Sequence, residues 1–286
     1  MGLTETQKAD YQRDGFIIYG KILSEDELEA LRKRIDTLAS GEHPNAEQIG
    51  IRLEAEVQKG GLKGVPRRDK VWQLLDPHRY DEGIFNHAGR SGILDIVTEL
   101  LDTENIKIFH AQTLMKPAFH GSKVSWHQDS AYWTNVHPPT LVSCWTALDD
   151  ATEENGCVRM LPGSYKDGLW VHKRRDFLHA QGVDESEAVP VVVKAGGCSF
   201  HHSLTVHGSG ENRTPHRRRG LVVSYMRADT KYLGDMAKVF GIRFCEVRST
   251  PVAYERPPNH PGSNRSNEAR WMQNPRPSYK FTAVVR

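Results

Sequence analysis

A chain of 286 residues with 38% hydrophobic and 26% charged residues has an ordinary globular composition and length enough for a substantial core. Its net charge of +2 supplies no global field for nucleic acid or an anionic membrane surface, and no run of 18 apolar residues offers a transmembrane helix. The four cysteines, Cys144, Cys157, Cys198 and Cys245, form no C-x-x-C pair, and the polar stretch from Met1 to Asp14 has no signal-peptide core, so a reduced, cytoplasmic protein is expected, without structural zinc or a disulfide framework.

Thr4-x-x-Gln7 and Ser24-x-x-Glu27 are capping-box signatures. Between them the apolar run Phe16 to Tyr19 reads as a strand. After the second box, Leu28, Leu31, Ile35 and Leu38 recur at helical spacing and Gly41 supplies a stop. Residues 42–70 are polar and glycine-rich and predict a long loop with some helix, and a second apolar helix is expected over about 91–102.

From residue 106 the period changes to two. Ile106, Ile108, His110, Gln112 and Leu114 share one face of a strand. Further strands are expected at the His127 segment, Leu141 to Leu148, Gly156 to Leu161, Val189 to Lys194, Cys198 to His201 and Arg219 to Arg227, separated by turn signals such as Pro162-Gly163-Ser164 and Gly196-Gly197. Many short strands with turns between them predict an all-β barrel or sandwich. Residues 164–188 read as a partly helical insertion and a possible lid, although its Lys173-Arg174-Arg175 run also suits a solvated face. The tail after Thr250 carries six prolines and reads as surface loop, and no linker or repeat divides the chain, so one domain over 1–286 is expected.

The chemistry centres on Trp126-His127-Gln128-Asp129. On a strand, residues two apart project to one side, so His127 and Asp129 can grip one metal ion together. With 14 histidines and 36 carboxylates in the chain, roughly two His-x-Asp/Glu matches arise by chance, so the pair needs support. His207, in Val206-His207-Gly208-Ser209, supplies the third ligand of a two-histidine, one-carboxylate triad of the kind that holds non-heme Fe(II) with open positions. Arg218 shares a strand face with Gly220 and Val222 and can form two parallel hydrogen bonds to a carboxylate. A metal triad with an arginine one strand away suits a dicarboxylate that chelates the metal with one end and pairs with arginine at the other, which describes 2-oxoglutarate. The competing reading is that Arg217-Arg218-Arg219 is a solvated basic run.

Seven motifs in order, spanning roughly residues 10–227, carry a family resemblance: Tyr11-x-x-Asp14-Gly15-Phe16, Met115-Lys116-Pro117, Trp126-His127-Gln128-Asp129, Trp145-Thr146-Ala147-Leu148, Glu154-Asn155-Gly156-Cys157, Leu161-Pro162-Gly163-Ser164 and His207-Gly208-Ser209-Gly210-x-Asn212. With these the sequence resembles the phytanoyl-CoA dioxygenase family of Fe(II)/2-oxoglutarate-dependent oxygenases. The resemblance implies a mainly β fold, a double-stranded β-helix or jelly roll over about 104–230 with N-terminal helices packed outside it. It implies Fe(II), 2-oxoglutarate and O2 as reactants and hydroxylation of an aliphatic C–H of a small molecule, with release of succinate and CO2. The carboxylate at position 129 favours oxidation over halogenation, since related halogenases replace it with a small residue.

Carried over position by position, His127, Asp129 and His207 look like iron ligands and Arg218 like the partner of the distal 2-oxoglutarate carboxylate. Ser209, Gln112, Trp145 and Lys70 match positions that border the co-substrate, and His110, Tyr132 and Trp133 are candidates for substrate contact. His201 and His202 read as structural histidines. A monomer or weak homo-oligomer acting on a small molecule, with no nucleic-acid or membrane partner, is expected. The alternative is a jelly-roll binding protein that keeps the metal site without catalysis.

Overall fold

Thr4 and Ser24 each accept a hydrogen bond from the backbone N–H three residues on, while Gln7 and Glu27 accept from the cap's own N–H. They open α1 (Glu5–Asp14) and α2 (Glu25–Ser40), and both helices end at a glycine in the left-handed region, Gly15 at φ 83° and Gly41 at φ 82°. The computed structural model describes residues 2–233 and 245–248. Leu28, Leu31, Ile35 and Leu38 are buried, as their spacing predicts, and each contributes roughly 1.5–3 kcal/mol of burial.

Between these helices lies β1 (Phe16–Lys21), and after them come β2 (Gly50–Leu53), α3 (Ala55–Gln58), β3 (Val71–Leu75), α4 (Glu82–Ala88) and α5 (Ser91–Leu101). The segment expected as loop over 42–70 therefore contains an edge strand, β2. Its partner is β3, beyond that segment, and a four-residue strand has too little local pattern to announce itself.

The β region follows with β4 (Ile106–Lys116), β5 (Val124–His127), β6 (Val136–His137), β7 (Val142–Ala147), β8 (Val158–Met160), β9 (His172–Arg174), β10 (Leu178–Ala180), β11 (Val189–Val191), β12 (Gly197–His202), β13 (His207–Ser209), β14 (Arg218–Arg227), β15 (Lys231–Tyr232) and β16 (Cys245–Arg248). The insertion over 164–188 differs from the helical expectation. A single 3-10 turn, Ser164–Asp167, leads into the β9–β10 hairpin.

Most strands form a jelly roll of two antiparallel sheets, beside the two-stranded pairs β10-β9 and β15-β6. The larger runs β1-β12-β7-β14-β4-β3-β2, with β16 on β4, and the smaller runs β11-β8-β13-β5. Helical side chains such as Leu31, Ile35, Ile96 and Val97 pack on the outer face of the large sheet against Leu74, Ala111, Val223 and Phe200. Between the sheets lies a second cluster with Trp145, Val222, Met160 and Val191. Cys144, Cys157 and Cys198 are free and buried. The proline-rich tail beyond Thr250 lies outside the described residues. Among those described, no helix is long and apolar enough to cross a membrane.

Candidate active site

Pairing of β13 with β5 places His207 directly across from His127, with ring centroids 4.3 Å apart. Each imidazole donates from Nδ1 to the carbonyl two residues back, His127 to Ser125 at 2.7 Å and His207 to Thr205 at 2.9 Å. That bond assigns the tautomer and leaves both Nε2 lone pairs free for a metal. Both Nε2 atoms lie 3.7 Å from Asp129 Oδ1, and the three ligand atoms fall within 4.8 Å of one another. The triad thus converges, but by a different route from strand alternation. β5 ends at His127, and Asp129 opens a 3-10 turn, Asp129–Ala131, that swings its carboxylate back toward the imidazoles.

The protonation states suit a cation. Burial, together with the neighbouring His127, pushes His207 down to about 3, so it is neutral at physiological pH. Burial alone would raise the Asp129 carboxyl, but contacts with His127 and His201 and the field of His207 outweigh it and hold the group well below its ordinary range. Two imidazole Nε2 atoms and one ionised carboxylate are the donor set a facial Fe(II) site requires.

The inner face of the large sheet forms the floor in transverse rows. His110, Ser224, Ser143 and His201 make one row on neighbouring strands. Ser143 Oγ lies 2.8 Å from Ser224 Oγ and donates to Asp129 Oδ2 at 3.3 Å, so the floor fixes the carboxylate oxygen that faces away from the histidines. His201 belongs here rather than to a separate structural role. It is buried, its Nε2 stands 3.4 Å from the same Oδ2, and neither ring nitrogen completes a hydrogen bond. His202 points elsewhere, accepting from the Leu204 N–H and packing on Tyr165.

The next rows hold Gln112, Val222 and Trp145, then Leu114, Gly220 and Ala147, then Lys116 and Arg218. Gly220 has a steric reason: a Cβ there would sit 2.4 Å from Trp145 Cζ2, so glycine lets the indole lie flat across the sheet. Arg218 follows, with its guanidinium 5.7 Å from the Trp145 ring and only 2% exposed. Its Nη2 donates to the Gly156 carbonyl at 2.6 Å and Nη1 to that of Leu114 at 3.4 Å, while Arg218 Nε and Trp145 Nε1 are buried without partners. Among the described residues no carboxylate pairs with it, and burial pushes its pKa down to about 10. A buried, unpaired cation with spare donors is a built site for an anion.

The solvated-run alternative fails on both sides of Arg218. Arg219 is buried and pairs with both Asp149 oxygens and with Asp36, and Arg217 pairs with Asp36 and Asp69. Both serve the outer face, where α2 is anchored, while Arg218 alone turns inward.

Other expected residues divide. Gln112 lines the floor and accepts from Gln73. Ser209 lies two residues along β13 from His207, half-buried. His110 shares the inner row, its Nδ1 2.8 Å from Asp76 Oδ1. Tyr132 is half-exposed beside the metal site, its ring 5.7 Å from that of His127. Trp133 instead packs on Phe109 in a separate small cluster with Val136, Leu141 and Met226, so its area is spent on packing. Lys70 ends a 3-10 turn before β3, and the contact described for it is its backbone carbonyl accepting from Glu54. Lys116, unremarked beyond its motif, is buried across from Arg218 and donates to the Ser122 carbonyl. Burial and the Arg218 charge press it well below the usual lysine range. Its inward parity with Gln112 was the available signal.

Comparison with known proteins identifies the family and the fold. The family model described as phytanoyl-CoA dioxygenase matches residues 11–220. The chain is 27% identical over 244 residues to the human protein described as phytanoyl-CoA dioxygenase, peroxisomal, covering 81% of this chain and 70% of that one. It is 27% identical over 233 residues, 78% of each chain, to a probable alpha-ketoglutarate-dependent hypophosphite dioxygenase of Stutzerimonas stutzeri. Among solved structures, EvdO2 from Micromonospora carbonacea var. aurantiaca in complex with 2-oxoglutarate superposes with a TM-score of 0.64 at 24% identity, covering 82% of this chain and 94% of that one. This likeness shows the shared fold.

Proposed function

The chain belongs to the phytanoyl-CoA dioxygenase family, and on that premise we propose that it is an Fe(II)- and 2-oxoglutarate-dependent dioxygenase that hydroxylates an aliphatic C–H bond of a small molecule. The observation that carries this reading is the pairing of a His-Asp-His triad, its carboxylate ionised, with the buried Arg218, which has carbonyl but no carboxylate partners among the described residues, on the same inner floor. His127, Asp129 and His207 would hold the metal, their ligand atoms lying within 4.8 Å of one another. Arg218 takes the distal carboxylate of 2-oxoglutarate, with Ser209, Gln112 and Trp145 bordering it. Bound iron, with 2-oxoglutarate and O2, supplies the oxidising power for the C–H bond while the co-substrate becomes succinate and CO2.

The chain's own residues orient the metal ligands. Ser143 and Ser224 keep the Asp129 carboxylate from rotating, and the Ser125 and Thr205 carbonyls keep both imidazoles in one tautomer. Gln128 ties the metal loop to its cover, donating to the Gly168 and Leu204 carbonyls and accepting from Trp170 N–H. These bonds fix the start of the β9–β10 hairpin against the metal loop.

The test is 2-oxoglutarate-dependent succinate release by the protein reconstituted with Fe(II), with oxygen incorporation into substrate followed by mass spectrometry. Release that needs both Fe(II) and Arg218 supports the reading. Release insensitive to His127→Ala overturns it.

A further inference from the structure

Beyond the co-substrate cleft, the inner face continues onto the edge strands β3 and β2, and its character changes. Arg52 pairs with Gln73 across these strands, and Arg52 Nη1 donates to Gln73 Oε1 at 3.1 Å. Gln73 Nε2 in turn donates to Gln112 Oε1 on the floor. A polar chain therefore runs from the floor to the rim and ends in an exposed guanidinium. One of its five N–H donors is used there, and among the described residues Arg52 has no carboxylate partner.

The opposite rim is the β9–β10 hairpin. Phe177 packs edge-on against Trp72 of β3, with ring centroids 5.3 Å apart, so the hairpin reaches over to the strand next to Arg52. The Leu178 N–H donates to the Tyr132 hydroxyl at 3.1 Å, and Arg174 is the cross-strand partner of Leu178. Tyr132 in turn lies beside the metal ligand His127, with ring centroids 5.7 Å apart. Burial raises its phenol, and the Leu178 N–H opposes that rise first, the charges of Arg174 and Arg52 less strongly. The rim thus carries Arg52 on β2 and Arg174 on the hairpin, with the Gln73 and Gln112 amides linking Arg52 to the floor.

We propose, building on the oxygenase reading above, that the substrate is a small organic oxyanion, a carboxylate or a phosphonate, whose charged group is gripped at the mouth by the Arg52 guanidinium. Arginine matches the paired oxygens of either group with two parallel hydrogen bonds. A long apolar chain laid along Gln73 and Gln112 would strip water from their amides without replacing it. Gln73 holds Arg52 by one donor and leaves the fork directed outward.

Anaerobic protein loaded with Fe(II) and 2-oxoglutarate gives a visible iron-to-co-substrate charge-transfer band that shifts when a ligand enters beside the metal. Two matched probe pairs are titrated against it: hexanoate with hexanamide, and propylphosphonate with its diethyl ester. The charged member of at least one pair should bind about tenfold tighter or more. Arg52→Gln keeps a hydrogen bond to Gln73 but should reduce that preference to about threefold or less, and Arg52→Lys should restore part of it. The pair that responds identifies the headgroup. Equal binding of neutral partners, an undiminished preference in Arg52→Gln, bleaching of the band through displacement of 2-oxoglutarate, or silence from every anion while the band persists each overturns the proposal. Absence of the band in the wild-type protein would instead remove the co-substrate site on which both readings stand.

Discussion

His127 and His207 are cross-strand partners whose Nδ1 atoms donate to carbonyls two residues back, so one local rule, applied on two antiparallel strands, aims both Nε2 atoms at Asp129 Oδ1 from 3.7 Å. The imidazoles are preorganised by backbone carbonyls, whereas the buried carboxylate takes its hydrogen bond from a side chain.

That side chain is Ser143. Ser143→Ala should leave the fold intact and weaken Fe(II) binding about tenfold, the lower end of what loss of a hydrogen bond to a metal ligand costs. Asp129→Ala should abolish iron binding in the same titration. Wild-type affinity in Ser143→Ala would show that Asp129 is held by other contacts.

The three consecutive arginines should separate by readout. Arg218→Ala should raise the apparent 2-oxoglutarate KM about 10- to 200-fold, the worth of a bidentate charged hydrogen bond. Arg219→Ala should leave that KM near wild type but cost about 3 kcal/mol of stability, since it strands Asp149 and Asp36 in a partly buried ion network. Steady-state kinetics and chemical denaturation of both variants check the division.

Gly220→Ala tests the flat packing of Trp145. A methyl group 2.4 Å from Cζ2 should cost about 1–3 kcal/mol. Combined with Trp145→Leu, the loss should be smaller than the sum of the two single changes. Additive losses in denaturation of the double variant would mean the indole has room to move away.

Acid should destabilise the fold by a route independent of the metal. Burial lowers both His78 and His87 to about 4 from an ordinary value near 6.5. A depressed histidine is neutral in the native state and binds its proton sooner in the unfolded chain. Stability is therefore full above about pH 6.5 and falls as the pH drops toward 4, by up to about 3 kcal/mol per histidine. Asp76, lowered to about 2 mainly through its contact with His110 against the opposing effect of burial, begins to lose its own stabilisation only below the ordinary aspartate range. Denaturant midpoints of apoprotein between pH 7 and 4 should fall steadily, and His87→Gln should flatten part of that slope.

Local pattern determined a good deal of this protein. The capping boxes at Thr4 and Ser24 and the glycine stops are written in residues three or four apart, and both helices form where those residues stand. Alternation along β14 placed Arg218 inward and its two neighbours outward, because a strand turns every second side chain to one face regardless of what it packs against. Tertiary structure decided the rest. Asp129 reaches the histidines from a 3-10 turn and not from a strand. His201 joins them because β12 pairs with β7, and the β9–β10 hairpin closes on Trp72 from more than a hundred residues away. Strands of three or four residues carry almost no period of their own. Their place is set by hydrogen bonds to distant partners and by burial against a second sheet, neither of which exists until the chain has folded.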